Sequence, residues 1–522
     1  MKKVATLEHA KEILPFDAFS LKAIKENAYY KALTGVEPRL KKQSSPYQTF
    51  LFDMGFLMYI RRIFMKEKLT MDKIVNLCKT RGFVFPGSEI YDGFANTWDF
   101  GPIGVELKNN IKRAWWKKFV QEDKNTYGVD AAILMNPKVW EASGHVANFG
   151  DPKMDCKNCK QRFRADTLIE NHSKGSISAE AMTNEEMEAY IEEHNISCPH
   201  CGVKNWTQIR KFNPMFITSR GTLEADADKV YLRPETCQGE YVNFLNVQRT
   251  CRAKVPFAIA QIGKSFRNEI TPGNFLFRTI EFEQMELQMF CHQNESMDIY
   301  NRYKDRALSF VKSLGLKEEH LRFHDHDKLA HYAKAACDIQ YLFPIGWQEL
   351  NGIHHRGDWD LSRHQEFSGK NMLYMDPYTN EKFLPNVIEY SIGADRLTLA
   401  IMCEAYDEEE LENGDTRVVM HLHPALAPYK VCILPLMKKA HSEKAEEVYQ
   451  ILSKEFMCDF DDAGSIGKRY RRQDEIGTPF CVTVDENTME NNTVTIRDRD
   501  TMEQITLPVD EIKEYILNKI KF

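Results

Sequence analysis

The chain has 522 residues, which is too long for a single hydrophobic core and predicts about three domains. Its formal net charge of −7 excludes a generally basic nucleic-acid-binding protein, so contacts with nucleic acid must come from local basic patches. No stretch approaches the roughly 18 consecutive apolar residues that a membrane-spanning helix needs, so we expect no membrane partner.

The cysteines and the first residues bear on the cellular compartment. There are thirteen cysteines, four of them in two Cys-x-x-Cys pairs, and no early apolar run is followed by a small-residue cleavage site. This usage fits a reducing compartment better than a disulfide framework. We therefore expect a cytoplasmic protein.

Residues 1–70 differ in composition from the rest of the chain. They hold 13 Lys or Arg against 7 Asp or Glu, with only weak amphipathic periodicity. One interpretation is an appended or poorly ordered extension, in which case Met71 could be the true start. The other is a basic arm that contacts a polyanion.

Helix and strand signals alternate over the next part of the chain. Helical spacing occurs at 72–82 and at 104–120, and residues 131–144 read as a strand broken at Pro137. The second helix has one apolar stripe, formed by Leu107, Ile111, Trp115 and Phe119. The region 151–210 holds the two cysteine pairs with a polar helical run between them.

The later part of the chain predicts a further helix, several strands and a small terminal domain. Residues 295–335 look helical, and strands then return before a helical segment at 397–406. An acidic run at 406–415 and the Pro-containing segment 421–428 mark a boundary. Beyond it, strands alternate with a helix at 441–456, which predicts an α/β domain with a mainly parallel sheet.

One predicted hairpin has a charged face where a core is normally found. The segment SFRNEITPGNFLFRTIEFEQMELQ (265–288) reads as two antiparallel strands. Residues two apart share a face, and the charged face carries Arg267, Glu269, Arg278, Phe282 and Glu286. Such groups suit a nucleotide and an amino-bearing co-substrate, because arginine grips phosphate and a ring stacks on a base. A solvated face crossed by salt bridges is the alternative.

Two motifs in this part of the chain resemble those of the class II aminoacyl-tRNA synthetases. FRNE, a loop and RTIEF resemble motif 2, while SIGADRLTLA supplies Gly393 and Arg396 in the places expected of motif 3. Motif 1 is the least specific, and the helix 104–120 with Pro137 matches it best. Longer segments resemble the dimeric glycyl-tRNA synthetases: SEIYDGFANTWDFGPIGVELKNNIK, MNPKVWEASGH, YLRPETCQG, AQIGKSFRNEITP, VIEYSIGADR and GTPFCVTVD.

The resemblance covers essentially all of residues 71–522, with two departures. The family usually has glycine where Asp92 stands, and a side chain there could crowd the nearby loop. Residues 1–70 match nothing in the family pattern. Neither departure touches motifs 2 and 3.

The resemblance implies an α+β fold with a class II antiparallel sheet, flanking helices, an inserted zinc-binding subdomain and a C-terminal α/β anticodon-binding domain. The catalytic domain would comprise 71–150 and 211–424, the zinc-binding insertion 151–210 and the anticodon-binding domain 425–522, after an extension of unknown role at 1–70. The implied protein is a homodimeric ligase that activates glycine with ATP and Mg²⁺ and transfers it to the 3′-OH of tRNA(Gly).

The same resemblance assigns the ATP-binding residues. Arg267 would grip the α-phosphate, Glu269 would accept a hydrogen bond from the adenine amino group, and Phe282 would stack on the base. Arg278 and Arg396 would hold the β- and γ-phosphates. Arg267 and Arg396 would be the catalytic residues, since they stabilise charge that builds on phosphate oxygens. Glu349 is the candidate ligand for Mg²⁺.

Recognition of glycine is assigned to carboxylates. By the resemblance, Glu235, Glu286 and Glu389 would surround the ammonium group, while Ser391 and Arg356 would lie near the substrate carboxylate and the missing side chain. The pocket must be too small for the methyl group of alanine. For each glutamate, a structural salt bridge is the alternative.

The cysteine pairs predict a structural metal site. Cys156, Cys159, Cys198 and Cys201 form two Cys-x-x-Cys knuckles, which match tetrahedral Zn²⁺ with no position left for catalysis. A reduced, metal-free cluster is the alternative.

A basic run near the C-terminus predicts contact with tRNA. Arg469, Arg471 and Arg472 flank Tyr470, and basic residues with an aromatic ring suit single-stranded RNA. An ordinary charged helix face is the alternative.

Two rival functions remain at this point. Another class II synthetase is the nearest, and the three pocket glutamates argue against it. A non-catalytic relative, which would keep the fold and lose the ATP-binding residues, is the other. The presence of Arg267, Glu269, Phe282 and Arg396 argues against that one.

Overall fold

The computed structural model describes residues 69–521, apart from gaps at 174–176, 178, 180–181, 222–227, 270–272, 327–328, 330–332 and 412–413. Residues Thr70–Phe522 form one unit. The expectations for the N-terminal extension lie outside the described residues, as does most of the turn of the charged hairpin.

The first part of the chain forms strands and helices, and one of these strands, Thr126–Gly128, belongs to the central sheet. The strands are β1 (Val84–Pro86), β2 (Trp98–Phe100), β3 (Thr126–Gly128), β4 (Asp151–Asp155), β5 (Arg162–Arg164), β6 (Arg210–Phe212), β7 (Ile217–Arg220) and β8 (Asp228–Tyr231). The helices are α1 (Met71–Thr80), α2 (Pro102–Trp116), α3 (Lys138–Ala142), α4 (His145–Asn148), α5 (Ala165–His172) and α6 (Asn184–Glu193).

The predicted amphipathic helix is confirmed, whereas the predicted strand around Pro137 is wrong. Helix α2 continues as a π-helical turn over Lys117–Gln121, and all four stripe residues are fully buried. Pro137 stands at the N-cap of α3, so a helix follows it. Proline is tolerated at the start of a helix, where its missing N–H leaves no intrahelical bond unmade.

The next elements build the central sheet. The helices are α7 (Cys237–Val242), α8 (Phe244–Thr250), α9 (Ser296–Ser313), α10 (Trp359–Ser368) and α11 (Ala394–Ala405). The strands are β9 (Phe257–Phe266), β10 (Glu281–Cys291), β11 (Leu321–Asp325), β12 (Ala335–Phe343), β13 (Gly346–Gly357), β14 (Tyr374–Met375), β15 (Lys382–Phe383), β16 (Asn386–Gly393), β17 (Tyr406–Glu410) and β18 (Thr416–Met420).

Seven strands form the central sheet in the order β11-β12-β13-β16-β10-β9-β3. Every pairing is antiparallel except that of β3 with β9. The predicted antiparallel sheet is therefore confirmed. On one face, Phe119 packs against Tyr390 of β16 and Phe310 of α9, with ring centroids 4.7 and 5.2 Å apart. The opposite face carries the polar side chains.

The predicted helix 295–335 is correct only in its first half. Helix α9 ends at Ser313, and β11 follows it. Gly315 has a φ of +104°, a backbone conformation that side-chain-bearing residues rarely adopt. The chain therefore leaves the helix here and returns as an edge strand of the central sheet.

The acidic run at 406–415 is structured rather than a simple linker. Its first half is strand β17, which pairs antiparallel with β18. No helix among the described residues is both long and apolar enough to cross a membrane.

The remaining elements form a second sheet with flanking helices. Its strands are β19 (Val431–Pro435), β20 (Cys458–Phe460), β21 (Phe480–Val484), β22 (Thr493–Asp498) and β23 (Gln504–Pro508), and its helices are α12 (Lys438–Leu452), α13 (Ile466–Ile476), α14 (Glu486–Asn491) and α15 (Ile512–Lys519). The order is β20-β19-β21-β22-β23, with parallel pairing in the first three and antiparallel pairing from β21 onwards. The sheet is therefore mixed, whereas the sequence predicted a mainly parallel one. The connection from β21 to β22 through α14 is too short for the crossover that parallel neighbours need.

Candidate active site

Strand register explains why one face of the central sheet is polar. Glu286 on β10 pairs with Gln261 on β9 and with Ser391 on β16, and Glu389 on β16 pairs with Gln288 and with His354 on β13. Paired residues and residues two apart point to the same face. The side chains therefore form adjacent polar rows, while the alternate residues of β10 and β16 pack into the apolar core.

Glu286 lies at the centre of a buried carboxylate pocket and is 3% exposed. Its carboxylate accepts hydrogen bonds from Ser391 Oγ at 2.7 Å, from Gln284 Nε2 at 3.0 Å and from Thr236 Oγ1. Burial and the nearby charges of Glu389 and Glu235 raise the pKa of Glu286 to about 7. The Glu286 carboxyl group is therefore partly protonated near neutral pH.

The pKa of Glu389 shifts in the opposite direction from that of Glu286. Burial opposes its ionisation, but Arg356 and His354 outweigh burial and hold the pKa of Glu389 below its ordinary value. Its Oε1 accepts from His354 Nδ1 at 2.8 Å, and its Oε2 lies 3.2 Å from an Arg356 guanidinium nitrogen. Arg356 also grips Asp360 with two hydrogen bonds of 2.7 and 3.0 Å. This network fixes the carboxylate in place.

Glu235 enters the pocket from the segment before α7. Its Oε1 lies 3.3 Å from His145 Nε2 and accepts from Gln238 Nε2 at 3.1 Å and from Cys237 Sγ at 2.9 Å. Burial would raise the pKa of Glu235, but His145 holds it well below the usual range. The predicted trio of Glu235, Glu286 and Glu389 thus converges on one buried site that favours a cationic ligand.

Four of the predicted ATP-binding residues lie around the end of β9 and the start of β10. The Arg267 guanidinium is 5.5 Å from the ring centroids of both Phe149 and Phe282, and its Nε donates to the Pro234 carbonyl at 2.9 Å. Glu269 faces Arg278 at 4.0 Å across the hairpin. The arrangement offers cations for phosphate beside a ring that can stack on a base.

Arg396 stands in the first turn of α11, directly after β16. One of its guanidinium nitrogens lies 3.2 Å from Glu349 Oε1 and donates to the Glu349 carbonyl at 3.1 Å. Its guanidinium also covers the Phe277 ring at 4.4 Å. Arg396 lowers the pKa of Glu349, and His354 and Arg267 act in the same direction. The residues predicted to bind ATP and those around the carboxylate pocket are thus close enough for their charges to interact.

Several residues of this site were missed by sequence reasoning. Thr236 donates to Glu286, His354 donates to Glu389, and Asp360 anchors Arg356. Thr236 directly follows Glu235, and Asp360 stands four residues after Arg356 on the chain, so local spacing offered a signal for both. His354 could be found only from the strand register.

The four predicted cysteines come together beside the small sheet β5-β4-β6. Cys156 Sγ lies 3.6 Å from Cys201 Sγ, and Cys159 Sγ lies 3.7 Å from Cys198 Sγ. All four sulfur atoms lie within 4.8 Å of one another. A thiolate tetrahedron with Zn–S bonds of about 2.3 Å has edges of about 3.8 Å, so this set has the dimensions of a zinc site.

The three predicted tRNA-contacting arginines differ in setting on α13. Arg469 is buried, and its guanidinium donates to the carbonyls of Gly464 and Pro435. Arg472 pairs with Asp461 at 2.6 Å, and Arg471 donates to the Thr416 carbonyl at 3.0 Å. Arg469 thus supports the local backbone, whereas Arg471 and Arg472 remain partly exposed.

Family models match three parts of the chain. A tRNA synthetase class II core domain (G, H, P, S and T) matches residues 220–406, and an anticodon binding domain matches residues 430–519. A glycyl-tRNA synthetase insertion domain 1 matches residues 173–214, a segment that contains the second cysteine pair.

Individual proteins match along most of the chain. A glycine–tRNA ligase of Clostridium kluyveri is 61% identical over 459 residues, covering 87% of this chain and 99% of that protein. A glycine–tRNA ligase of Geobacillus kaustophilus is 58% identical over 459 residues, covering 87% of this chain and 100% of that protein. A prolyl-tRNA synthetase structure from Cryptosporidium parvum shares the fold with a TM-score of 0.55, at 15% identity over 86% of this chain and 77% of that chain. The resemblance predicted from the motifs is confirmed, and the chain belongs to the glycine–tRNA ligase family of class II aminoacyl-tRNA synthetases.

Proposed function

We propose that the chain activates glycine with ATP and transfers the glycyl group to the 3′ end of tRNA(Gly). One observation carries the proposal: a buried pocket of three carboxylates lies beside Arg267 and Phe282 on the same face of a class II sheet. The chain's membership of the glycine–tRNA ligase family supports this function.

The pocket selects an amino acid that has an ammonium group and no side chain beyond a hydrogen atom. Glu235, Glu286 and Glu389 bind the ammonium of glycine, which offsets the repulsion among their charges. Arg356 and Ser391 hold the walls of the pocket through their bonds to Glu389 and Glu286. Alanine is excluded because its methyl group would meet these fixed walls.

Activation is an in-line attack on ATP. An oxygen of the glycine carboxylate forms a bond to the α-phosphorus, and the bond from that phosphorus to the bridging oxygen of pyrophosphate breaks. No general base is needed, because the nucleophile is already an anion. Arg267 stabilises charge on the α-phosphate, while Arg278 and Arg396 hold the β- and γ-phosphates. Phe282 stacks on the adenine, and Glu269 accepts from its amino group.

Class II synthetases use ATP with Mg²⁺, and the site has a carboxylate suited to that ion. Glu349 is half exposed beside Arg396, and Mg²⁺ prefers carboxylate and phosphate oxygens with several waters. When bound, the ion neutralises negative charge on the phosphate oxygens. Glu349 would therefore hold the ion close to Arg396, which is assigned to the β- and γ-phosphates.

Transfer uses the second sheet as a tRNA-binding domain. The oxygen of the terminal 3′-OH forms a bond to the carbonyl carbon of the glycyl-adenylate, the bond from that carbon to the phosphate oxygen breaks, and AMP leaves with the hydroxyl proton. Arg471 and Arg472 contact the RNA backbone near the anticodon, with Arg469 supporting the loop beneath them. The match to an anticodon binding domain at residues 430–519 supports this assignment.

We assign the four-cysteine cluster to a structural Zn²⁺. The sulfur–sulfur distances of 3.6 and 3.7 Å support it, since they are far longer than a disulfide and close to a tetrahedral edge. The ion would join the two knuckles at either end of the insertion 151–210.

We also propose a homodimer that works in the cytoplasm. Three large apolar side chains are exposed between β1 and β2, with exposed fractions of 88% for Ile90, 80% for Tyr91 and 63% for Phe94. Such a patch suits burial against a second copy. All thirteen cysteines lie in the described residues and none of them is in a disulfide, which supports a reducing compartment.

Arg267→Ala tests the assignment of the ATP site. We expect glycine-dependent exchange of pyrophosphate into ATP to fall by about 10²–10³, because a positioned charge that stabilises the transition state is lost. Binding of tRNA(Gly), measured by filter retention, should stay within twofold. The matched control is Arg220→Ala, which removes an arginine side chain that is 78% exposed and pairs with the exposed Asp228. Unchanged exchange in Arg267→Ala would remove this residue from the mechanism.

A further inference from the structure

A second group of metal-ligating side chains lies on the central sheet, away from the cysteine cluster. It consists of His326, just after β11, Asp338 on β12 and His354 on β13. One ligand atom from each residue lies within 4.8 Å of the other two. Neither the motifs nor the function described above uses this group as a set.

The sheet itself leaves space between these side chains. Asp338 pairs with Gly352 in the β12–β13 register, and His354 stands two residues after that glycine. A Cβ atom added to Gly352 would lie 3.1 Å from His354 Nε2 and 3.5 Å from Asp338 Oδ1. The absence of a side chain at residue 352 therefore opens a small space that Asp338 and His354 both border.

The group is prearranged by hydrogen bonds. His326 Nε2 lies 2.8 Å from Asp338 Oδ2, so these two side chains already face each other. His354 Nδ1 donates to Glu389 Oε1 at 2.8 Å. A metal-bound histidine characteristically donates its other ring N–H to a carboxylate, which orients the ring and leaves Nε2 to coordinate.

The ligand chemistry selects a class of ion. Two imidazoles and one carboxylate suit a divalent transition metal such as Zn²⁺, whereas Mg²⁺ prefers oxygen ligands. Tetrahedral ligands at about 2.1 Å from zinc lie about 3.4 Å apart, so modest side-chain rotations close the present spacing. Three protein ligands leave a fourth position for water.

We propose that His326, Asp338 and His354 bind a divalent transition-metal ion, of which Zn²⁺ is the best fit, next to the glycine pocket. The ion lies one side chain away from Glu389, through the His354–Glu389 hydrogen bond. Metal bound at Nε2 makes Nδ1–H a stronger donor to Glu389 and adds positive charge near the ammonium position. Occupancy of this site therefore weakens glycine binding, and bound glycine weakens metal binding by the same factor.

The test uses the full-length protein with its cysteine cluster already filled with zinc. Further Zn²⁺ is added in a calorimetric titration to the wild type, to His326→Gln and to His354→Gln. We expect one additional ion per chain in the wild type and at least tenfold weaker binding in both variants. His324→Gln is the matched control, because His324 lies near the end of β11, with its ring 5.9 Å from that of His326, but outside the ligand group.

A second readout separates a bound ion from a merely structural histidine cluster. The same Zn²⁺ addition should raise the KM for glycine several-fold in the wild type and in His324→Gln, and leave it unchanged in His326→Gln. His326 is partly exposed at the sheet edge, so His326→Gln should fold, which circular dichroism checks. Equal stoichiometry in the wild type and His326→Gln, or a KM shift of the same size in both, would overturn the proposal.

Discussion

At the scale of single residues, Glu286 connects the electrostatics of the pocket to its ligand. Glu235, Glu286 and Glu389 converge there, and burial together with the charges of Glu389 and Glu235 raises the pKa of Glu286 to about 7. Glu389 and Glu235 stay ionised because Arg356 and His145 face them. The positive charge of a bound ammonium group would offset the charges of Glu389 and Glu235 and so lower the pKa of Glu286 again.

The KM for glycine should therefore depend on pH. Below pH 7 the free enzyme carries a proton on Glu286, and that proton must leave before the ammonium binds. With a pKa of about 7, KM should rise about tenfold between pH 8 and pH 6. Glycine-dependent pyrophosphate exchange at saturating ATP measures it. A KM that is flat over this range would mean that Glu286 is already ionised or does not face the ammonium.

The sequence predicted the charged residues of the site but not the contacts that hold them. Alternation along β10 placed Glu286 on the polar face, and the resemblance supplied Glu235 and Glu389. His354 escaped notice because its partner Glu389 is distant in sequence and is brought near only by the β13–β16 register. The glycine that the family usually has at the position of Asp92 is explained by backbone geometry, because φ there is +65°, where glycine is favoured. The Asp92 side chain is exposed and does not crowd the loop.

At the scale of elements, the periodicity of apolar residues correctly predicted the helices and strands whose formation depends on the local sequence pattern. The buried stripe of α2 and the alternating strands of the central sheet follow the expected spacing. The errors arose where a boundary or a partner decides the outcome. Gly315 ends α9 earlier than the polar pattern indicated, and the direction of β22 depends on the length of the α14 connection.

Removal of metal from the cysteine cluster should loosen the insertion without unfolding the central sheet. The small sheet β5-β4-β6 has its own apolar core around Leu168, Met187 and Ile191, but each knuckle lies in a loop that the ion would close. Hydrogen exchange after chelation should therefore speed up within residues 151–212 and stay slow in β10 and β16.

Cys159→Ser should have the same effect as chelation. Cys251→Ser is the matched control, since Cys251 is an exposed free thiol outside the cluster. Unchanged exchange in the insertion after complete metal removal would contradict a structural zinc.

At the scale of the whole molecule, one buried ion network joins the second sheet to the β17–β18 hairpin. Asp474 on α13 lies 3.0 Å from Arg417 Nε on β18 and accepts two hydrogen bonds, of 2.9 and 3.1 Å, from Arg497 on β22. Asp474 is fully buried, and Arg417 is 1% exposed. The acidic run of β17 contributes as well, since Glu409 lies 3.2 Å from Arg417.

Asp474→Asn should destabilise this junction. Two buried guanidinium groups would face a neutral amide, which costs about 3–5 kcal/mol when a buried pair is broken. Denaturant unfolding followed by tryptophan fluorescence and circular dichroism measures the loss. Asp462→Asn is the control, because its pair with Lys438 is accessible to solvent and should contribute little to stability. Equal stability of the two variants would show that the network adds nothing to the junction.

The central claim joins the carboxylate pocket to the ATP site in one reaction, and amino-acid-dependent ATP–pyrophosphate exchange tests it most directly. The exchange is measured with Mg²⁺ and with each of the twenty amino acids in turn. The account predicts exchange with glycine and none above background with alanine or serine. Exchange driven by another amino acid would contradict the assignment of the pocket, and no exchange from folded protein would contradict the catalytic function itself.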